Sequence, residues 1–64
     1  MEEFTTRELL ILEYMAKGHS NTRIAMELFM SKHTIKFIVA NILKKLNAAN
    51  RTNAIYIAAK KNIL

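Results

Sequence analysis

Residues 20–46 read SNTRIAMELFMSKHTIKFIVANILKKL and predict two helices joined by a short connector, residues 28–30. Either residue of the pair Ser20-Asn21 can cap the first helix, because short polar side chains accept hydrogen bonds from first-turn amides. Ser31 can cap the second helix in the same way, and that helix extends over about Lys32–Leu46. Five apolar residues of the second helix lie within about 60° of one line and predict a core-facing stripe. They are Ile35, Ile38, Val39, Ile42 and Leu46.

Two further helices flank this stretch. The segment Thr5-Thr6-Arg7-Glu8 is a capping-box sequence, and it predicts a helix from Thr5 to about Lys17 that stops at Gly18. Asn50 can cap a last helix over about Arg51–Lys61. The predicted fold is all-α, a compact four-helix bundle that contains a helix-turn-helix.

Composition narrows the function. The chain has 64 residues, which suits a single domain over residues 1–64 and leaves no room for separate catalytic and substrate domains. It has no Cys, no Pro and one Gly, which argues against disulfides, thiolate metal sites and a turn-rich β architecture. His19 and His33 lack a carboxylate at useful spacing, and the acids lie in the first two helices, mostly on predicted solvent faces. We therefore expect no enzyme activity, no metal and no cofactor.

The hydropathy pattern bears on location. No segment reaches the roughly 18 uninterrupted apolar residues that a membrane span needs. The start Met-Glu-Glu-Phe is acidic, unlike a signal peptide, so a cytoplasmic location and no membrane partner are expected.

Charge is distributed unevenly along the chain. Residues 1–30 carry three cations and five acids, whereas residues 31–64 carry seven cations and no acid. A strongly cationic half of a small domain favours a polyanionic partner, either nucleic acid or an anionic membrane surface. A basic face that serves only solubility is the alternative.

The predicted third helix presents a mixed face opposite its core stripe, formed by His33, Phe37, Ala40, Asn41 and Lys44, with Lys36 on its flank. In a helix-turn-helix, the second helix of the motif enters the major groove with its N-terminal turns. Lys36 can donate to guanine or to phosphate, and Phe37 can cover a thymine methyl group. A Phe amid polar residues is unusual for a solvent face, which favours this interpretation.

Motifs along the whole chain occur in order at the spacing of a known family. They are Phe4-Thr5-Thr6-Arg7-Glu8, Ala16-Lys17-Gly18, Ser20-Asn21, Ile24-Ala25, Leu28, Ser31, Thr34-Ile35-Lys36, Asn41-Ile42, Lys45-Leu46 and Asn50-Arg51-Thr52. Over residues 4–64 the chain closely resembles the LuxR/FixJ/GerE-type helix-turn-helix domain of bacterial transcription regulators. The resemblance implies sequence-specific binding of double-stranded DNA, at the nucleoid, by a homodimer whose fourth helices make the contact. It also implies a stand-alone regulator or the output domain of a response regulator, with a receiver domain, a ligand-sensing domain or RNA polymerase as further partners.

Site residues follow from this resemblance together with the helical phase. We expect base contacts from Lys36, Phe37, Ala40 and His33. We expect phosphate contacts from Asn21, Thr22, Arg23, Lys32, Thr34 and Lys44. Small and β-branched residues of the fourth helix exceed what one small core can bury, so we expect Ala54, Ile57 and Ala58 at the dimer interface.

Four positions depart from the family pattern. Ile38 replaces a usual His at the predicted edge of the core, and Ala40 replaces a residue that is often polar or basic. Arg23 stands where the family usually has Glu, either to gain a phosphate or as an exposed residue whose small cost is tolerated. Leu10 stands where an acid is usual and is either a contact surface or an ordinary exposed apolar residue.

Three other functions remain open at this point. One is a protein-interaction module that kept the fold and lost DNA affinity, which Ile38 and Ala40 would support. Another is a promoter-reading domain like that of sigma factors, against which the Asn50-Arg51-Thr52 cap argues. The third is a membrane-surface peptide built on residues 32–61, which the capping box and the distinct core stripe disfavour.

Overall fold

The computed structural model describes residues 3–64, which form four helices and no strand. The helices are α1 (Thr6–Ala16), α2 (Asn21–Leu28), α3 (Lys32–Leu46) and α4 (Arg51–Lys60). The all-α, four-helix prediction is confirmed, and the predicted bounds differ from the observed ones by at most one residue.

Each helix begins at a polar side chain that accepts a hydrogen bond from the third residue of the helix. In the capping box, Thr5 Oγ1 accepts from the Glu8 amide at 3.0 Å, and Glu8 Oε1 accepts from the Thr5 amide at 2.9 Å. The caps of α2, α3 and α4 are Ser20, Ser31 and Asn50. These bonds join residues three apart in sequence, so the caps could be predicted without knowing the fold.

Each helix also ends in the same way, with one residue in the left-handed conformation. These residues are Gly18, Phe29, Asn47 and Asn62, with φ of 87°, 55°, 54° and 59°. In every case the next residue's amide donates to the carbonyl five positions earlier, as Met30 does to Ala25 at 2.9 Å. Gly and Asn adopt this conformation readily, whereas Phe29 does so against its steric preference.

The core lies where α3 packs against the other three helices. Six large side chains are essentially inaccessible to solvent: Ile11, Leu12, Met15, Ile24, Ile35 and Ile42. Val39 and Leu46 complete the buried stripe of α3, and Ile38 is half-buried at its edge, as its position in the helical phase predicts.

The fourth helix corrects one prediction. Ala54 and Ala58 have no exposed surface, because their small side chains let α4 approach the rest of the bundle closely and form part of its core. The prediction that Ala54 and Ala58 contact a second protomer is therefore wrong. Ile57 is half-buried against the core, and the exposed residues of α4 include Tyr56 and Lys60.

Glu8 also departs from the expectation that the acids lie mostly on solvent faces, since it is only 7% exposed. Its Oε1 accepts from Lys45 Nζ at 2.7 Å, and the same ammonium donates to the carbonyl of Glu3 at 2.9 Å and lies 5.6 Å from the ring centre of Phe4. The pKa of Glu8 lies below its usual value. Burial acts to raise it, but the bonds from Lys45 and Thr5 outweigh that effect. This ion pair holds the start of α1 against the end of α3.

Candidate nucleic-acid interface

The outward face of α3 is the largest cluster of predicted site residues. His33, Lys36, Phe37, Ala40 and Lys44 are all exposed, and Asn41 is half-buried at the margin of this face. The buried stripe of α3 faces the opposite way, so packing of the helix into the bundle leaves these five side chains outside. Phe37 is 65% exposed and contributes little to the core. A helix face of this kind can meet base edges without disturbing the fold.

The first turn of α3 is held by its own cap. Ser31 Oγ accepts from the Thr34 amide at 3.0 Å and lies 2.8 Å from Thr34 Oγ1. Lys32, Ser31 and Thr34 are exposed at this end, where the helix dipole favours an anion. The phosphate roles of Lys32 and Thr34 remain predictions.

The first turn of α2 carries the other group of predicted phosphate contacts. Thr22 is exposed, and Ser20 Oγ accepts from the Arg23 amide at 3.1 Å. Arg23 Nε pairs with Glu27 Oε2 at 3.2 Å, an exposed pair one helical turn apart that is worth about 0.3–0.5 kcal/mol. Arg23 therefore already has an acidic partner, which partly neutralises its charge and would compete with a phosphate for it.

A shallow cleft of about 570 Å³ brings these elements together. The start of α2 lines it with Ser20, Asn21 and Thr22, and Lys32 lines it from the start of α3. The start of α4 adds Arg51 and Thr52, which are not among the site residues predicted from the sequence. Three helix N-termini thus border one concave surface, whereas the predicted base-contacting residues of α3 do not line it.

Arg51 is the functional candidate that sequence reasoning missed. Its Nη1 donates to Asn21 Oδ1 at 2.7 Å, and its Nη2 donates to the carbonyl of His19. Burial lowers the pKa of the guanidinium from its usual value. The available signal was its place in the first turn of a helix, where the dipole disfavours a cation.

The charges around the interface are one-sided. The described part of α3 and α4 contains cations and no carboxylate, because all five acids of the chain precede residue 31. In residues 3–64 the two ion pairs, Lys45–Glu8 and Arg23–Glu27, leave Lys32, Lys36 and Lys44 outside any ion pair. The exposed side of α3 is therefore electrostatically suited to a polyanion.

The family follows from comparison with known proteins. The model of the family described as "Bacterial regulatory proteins, luxR family" matches residues 2–58, nearly the whole chain. The chain belongs to the LuxR family. The resemblance inferred from the motifs is thereby confirmed, and the sigma-factor alternative is superseded.

Individual LuxR-family relatives give the same result. The chain is 46% identical over 63 residues to YxjL, an uncharacterised transcriptional regulatory protein of Bacillus subtilis, covering 98% of this chain and 29% of that protein. It is 42% identical over 60 residues to the transcriptional regulatory protein ComA of the same organism, covering 94% and 28%. The crystal structure of the response regulator ChrA, of a heme-sensing two-component system, superposes with a TM-score of 0.95 at 34% identity, covering 100% of this chain and 32% of that one.

The chain spans less than a third of the length of these relatives. The LuxR family is a family of transcription regulators and not a class of enzymes. None of the helices in residues 3–64 has the length and apolar composition needed to cross a bilayer.

Proposed function

We propose that this LuxR-family chain binds double-stranded DNA sequence-specifically, with α3 in the major groove, to regulate transcription in the bacterial cytoplasm. The exposed face of α3 carries the proposal, because it is cationic, free of acids and turned away from the core. A helix fits the major groove of B-DNA, and its N-terminal turns reach deepest. The domain supplies binding and no chemistry of its own.

Base readout falls to the outward residues of the first turns of α3. Lys36 donates to guanine O6 and N7, and His33 adds a polar contact near the start of the helix. Phe37 covers a thymine methyl group, since its exposed ring has no hydrogen-bonding atom. Ala40, one turn further along α3, has no polar group and makes no hydrogen bond to a base edge.

Backbone contacts surround this face. Lys44 lies further along α3 and Lys32 at its start, where both can neutralise phosphates. The first-turn amides of α2 near Asn21 and Thr22 add neutral donors at the cleft, and Thr34 adds a hydroxyl. Arg23 can reach a phosphate through its Nη donors, since only its Nε is bonded to Glu27.

The dimer contact lies on the part of α4 that the bundle leaves uncovered. Tyr56 is 61% exposed, and Ile57 beside it is half-buried. Tyr is enriched in interface cores, where its ring packs on apolar neighbours such as Ile57 while its hydroxyl bonds a partner group or water. The relatives YxjL and ComA are over three times the length of this chain, which leaves room in them for a further domain. The further partners of this chain on the proposal are a receiver or ligand-sensing domain and RNA polymerase.

Selection of a random duplex pool on the purified protein tests the proposal. An enriched inverted repeat is expected, and log K for that duplex should fall linearly with log[salt] at about −0.9 per phosphate contact. Absence of enrichment, or equal affinity for an unrelated polyanion, would contradict sequence-specific groove binding and favour a protein-interaction module.

Substitutions on α3 separate base contacts from backbone contacts. Phe37→Ala should cost about 1–3 kcal/mol on the selected duplex and much less on random DNA, relaxing the preference at one base pair. Lys44→Ala should weaken binding to both duplexes alike and reduce the salt slope by about 1. The comparison is made by fluorescence anisotropy, with circular dichroism to establish that both variants fold.

Equal losses on specific and random DNA for Phe37→Ala would refute the readout assignment. Because the ring is 65% exposed, unfolding of that variant would contradict the observed packing as well.

A further inference from the structure

The guanidinium of Arg51 joins two parts of the chain that are 30 or more residues apart. It bonds Asn21 Oδ1 through Nη1 and the His19 carbonyl through Nη2. His19 and Asn21 flank Ser20, the N-cap of α2. One side chain from α4 therefore holds both sides of the position where α2 begins.

Helix packing alone does not supply this connection. The principal packing partner of α2 is α3, whereas α4 packs mainly on α1 and α3. Packing against α3 fixes the body of α2, whose Ile24 and Ala25 are buried, and the bonds at the α1–α2 connection further restrain its start and the direction of its first-turn amides. Arg51 makes two of them from the far side of the cleft.

The local energetics of Arg51 are unfavourable without these bonds. It is the first residue of α4, where the helix dipole opposes a cation, and it is half-buried. No carboxylate of residues 3–64 lies within ion-pair distance of it. The planar guanidinium of Arg has N–H donors at fixed positions and can donate to an amide oxygen and a backbone carbonyl at the same time. The ammonium of Lys does this far less well.

We propose that Arg51 is a positioning residue, which sets the first turn of α2 against the DNA backbone and couples it to α4. The inference rests on the proposed function, since the phosphate at the start of α2 belongs to the bound duplex. Arg51 acts through Asn21 and the His19 carbonyl and makes no contact with DNA. The amides it orients are neutral, so its effect on affinity is independent of counterion release.

The test measures affinity for the selected duplex over a range of salt, in the parent and in Arg51→Gln, Asn21→Ala and the double variant. Arg51→Gln should weaken binding by about tenfold at every salt concentration and leave the slope unchanged. The double variant should bind no more weakly than Arg51→Gln alone, because the side chain of Asn21 acts only through its bond to Arg51 and its backbone amide is unchanged by the substitution. Lys61→Gln is the matched control. It removes one exposed cation at the C-cap of α4, far from the start of that helix, and should leave most of the affinity intact.

Several results would overturn the inference. A slope that falls by about 0.9 in Arg51→Gln would make Arg51 itself a phosphate contact. Full affinity in Arg51→Lys would also indicate a phosphate contact, because Lys keeps the positive charge and lacks the planar guanidinium. Additive losses in the double variant, an unchanged affinity in Arg51→Gln, or an equal loss in Lys61→Gln would each refute positioning through Asn21.

Amide hydrogen exchange on the free protein separates this inference from the proposed function. Arg51→Gln should accelerate exchange several-fold at Arg23 and Ile24, whose amides donate to the side chain and the carbonyl of Ser20, and leave the amides of Val39 and Ile42 in α3 unchanged. Uniform acceleration would indicate general destabilisation and overturn positioning. If the parent binds no duplex, the proposed function fails, and the positioning role of Arg51 stands or falls on the exchange result alone.

Discussion

Replacing Phe29 by Gly should stabilise the domain, although Phe29 lies in the turn of the helix-turn-helix. Its backbone is left-handed, at φ 55° and ψ 44°, and its side chain is 96% exposed. A side chain in this conformation costs about 1–2 kcal/mol, and the extra freedom of Gly in the unfolded chain returns about 0.4–1 kcal/mol of that. The net gain expected for Phe29→Gly is about 0.5–1 kcal/mol in the free energy of unfolding.

Thermal and urea unfolding followed by circular dichroism measure this effect. For a 64-residue domain, 1 kcal/mol corresponds to about 4–8 °C in Tm, so an increase of a few degrees is expected. Phe29→Ala is the matched control: it removes the ring and keeps the backbone penalty, so its stability should equal that of the parent. Phe29→Asn should fall between Gly and Ala, since Asn tolerates the left-handed region.

The outcome at Phe29 tests the backbone argument directly. A loss of stability in Phe29→Gly would refute it, and a loss above about 0.5 kcal/mol in Phe29→Ala would show that the exposed ring packs against the domain. The reverse change at Gly18 is a second check. An added Cβ there meets no atom within 4 Å, so Gly18→Ala should destabilise only through the left-handed backbone at φ 87°, by about 1 kcal/mol.

Two further predictions concern the ion pair and the dimer. Glu8→Gln should lower the free energy of unfolding by about 1–3 kcal/mol at neutral pH, because Lys45 loses its charged partner at a largely buried site. Since the pKa of Glu8 is lowered in the folded state, its contribution to the free energy of unfolding is present above the unfolded-state pKa and is lost as pH falls through the folded-state pKa. Urea titrations should therefore show the stabilities of the parent and the variant converging in acid. A stability difference that stays constant with pH would contradict this. Tyr56→Glu should abolish cooperative binding to a two-half-site duplex, while a single half-site is bound as before, because the charge lies on the exposed side of α4. Sedimentation and band-shift titration check this, and unchanged cooperativity in both Tyr56→Glu and Ile57→Glu would exclude that part of α4 as the interface.

Local sequence signals were sufficient to predict the helices and the residues on the outward face of α3. The caps act over three residues, and the helical period alone separates Lys36 and Phe37 from the stripe that becomes buried. These features depend on bonds and angles within one helix. Long-range packing changes them little, so they could be predicted with no knowledge of the bundle.

Only the tertiary structure decided which residues of α4 remain outside the core. The apolar residues of α4 surround the helix, so its sequence does not indicate one buried face. Ala54 and Ala58 became core residues because small side chains let the helix approach its neighbours closely, and Tyr56 was left exposed.

The charged residues also divide into features that the sequence determined and contacts that only the fold decided. The sequence by itself determined that Thr5 and Glu8 cap the start of α1 and that the cations concentrate beyond residue 30. Only the fold decided that Glu8 meets Lys45, 37 residues away, and that Arg51 reaches Asn21, 30 residues away. A bond between distant residues depends on where whole helices come to lie, and that position is set by the packing of their side chains and not by any pattern along the chain.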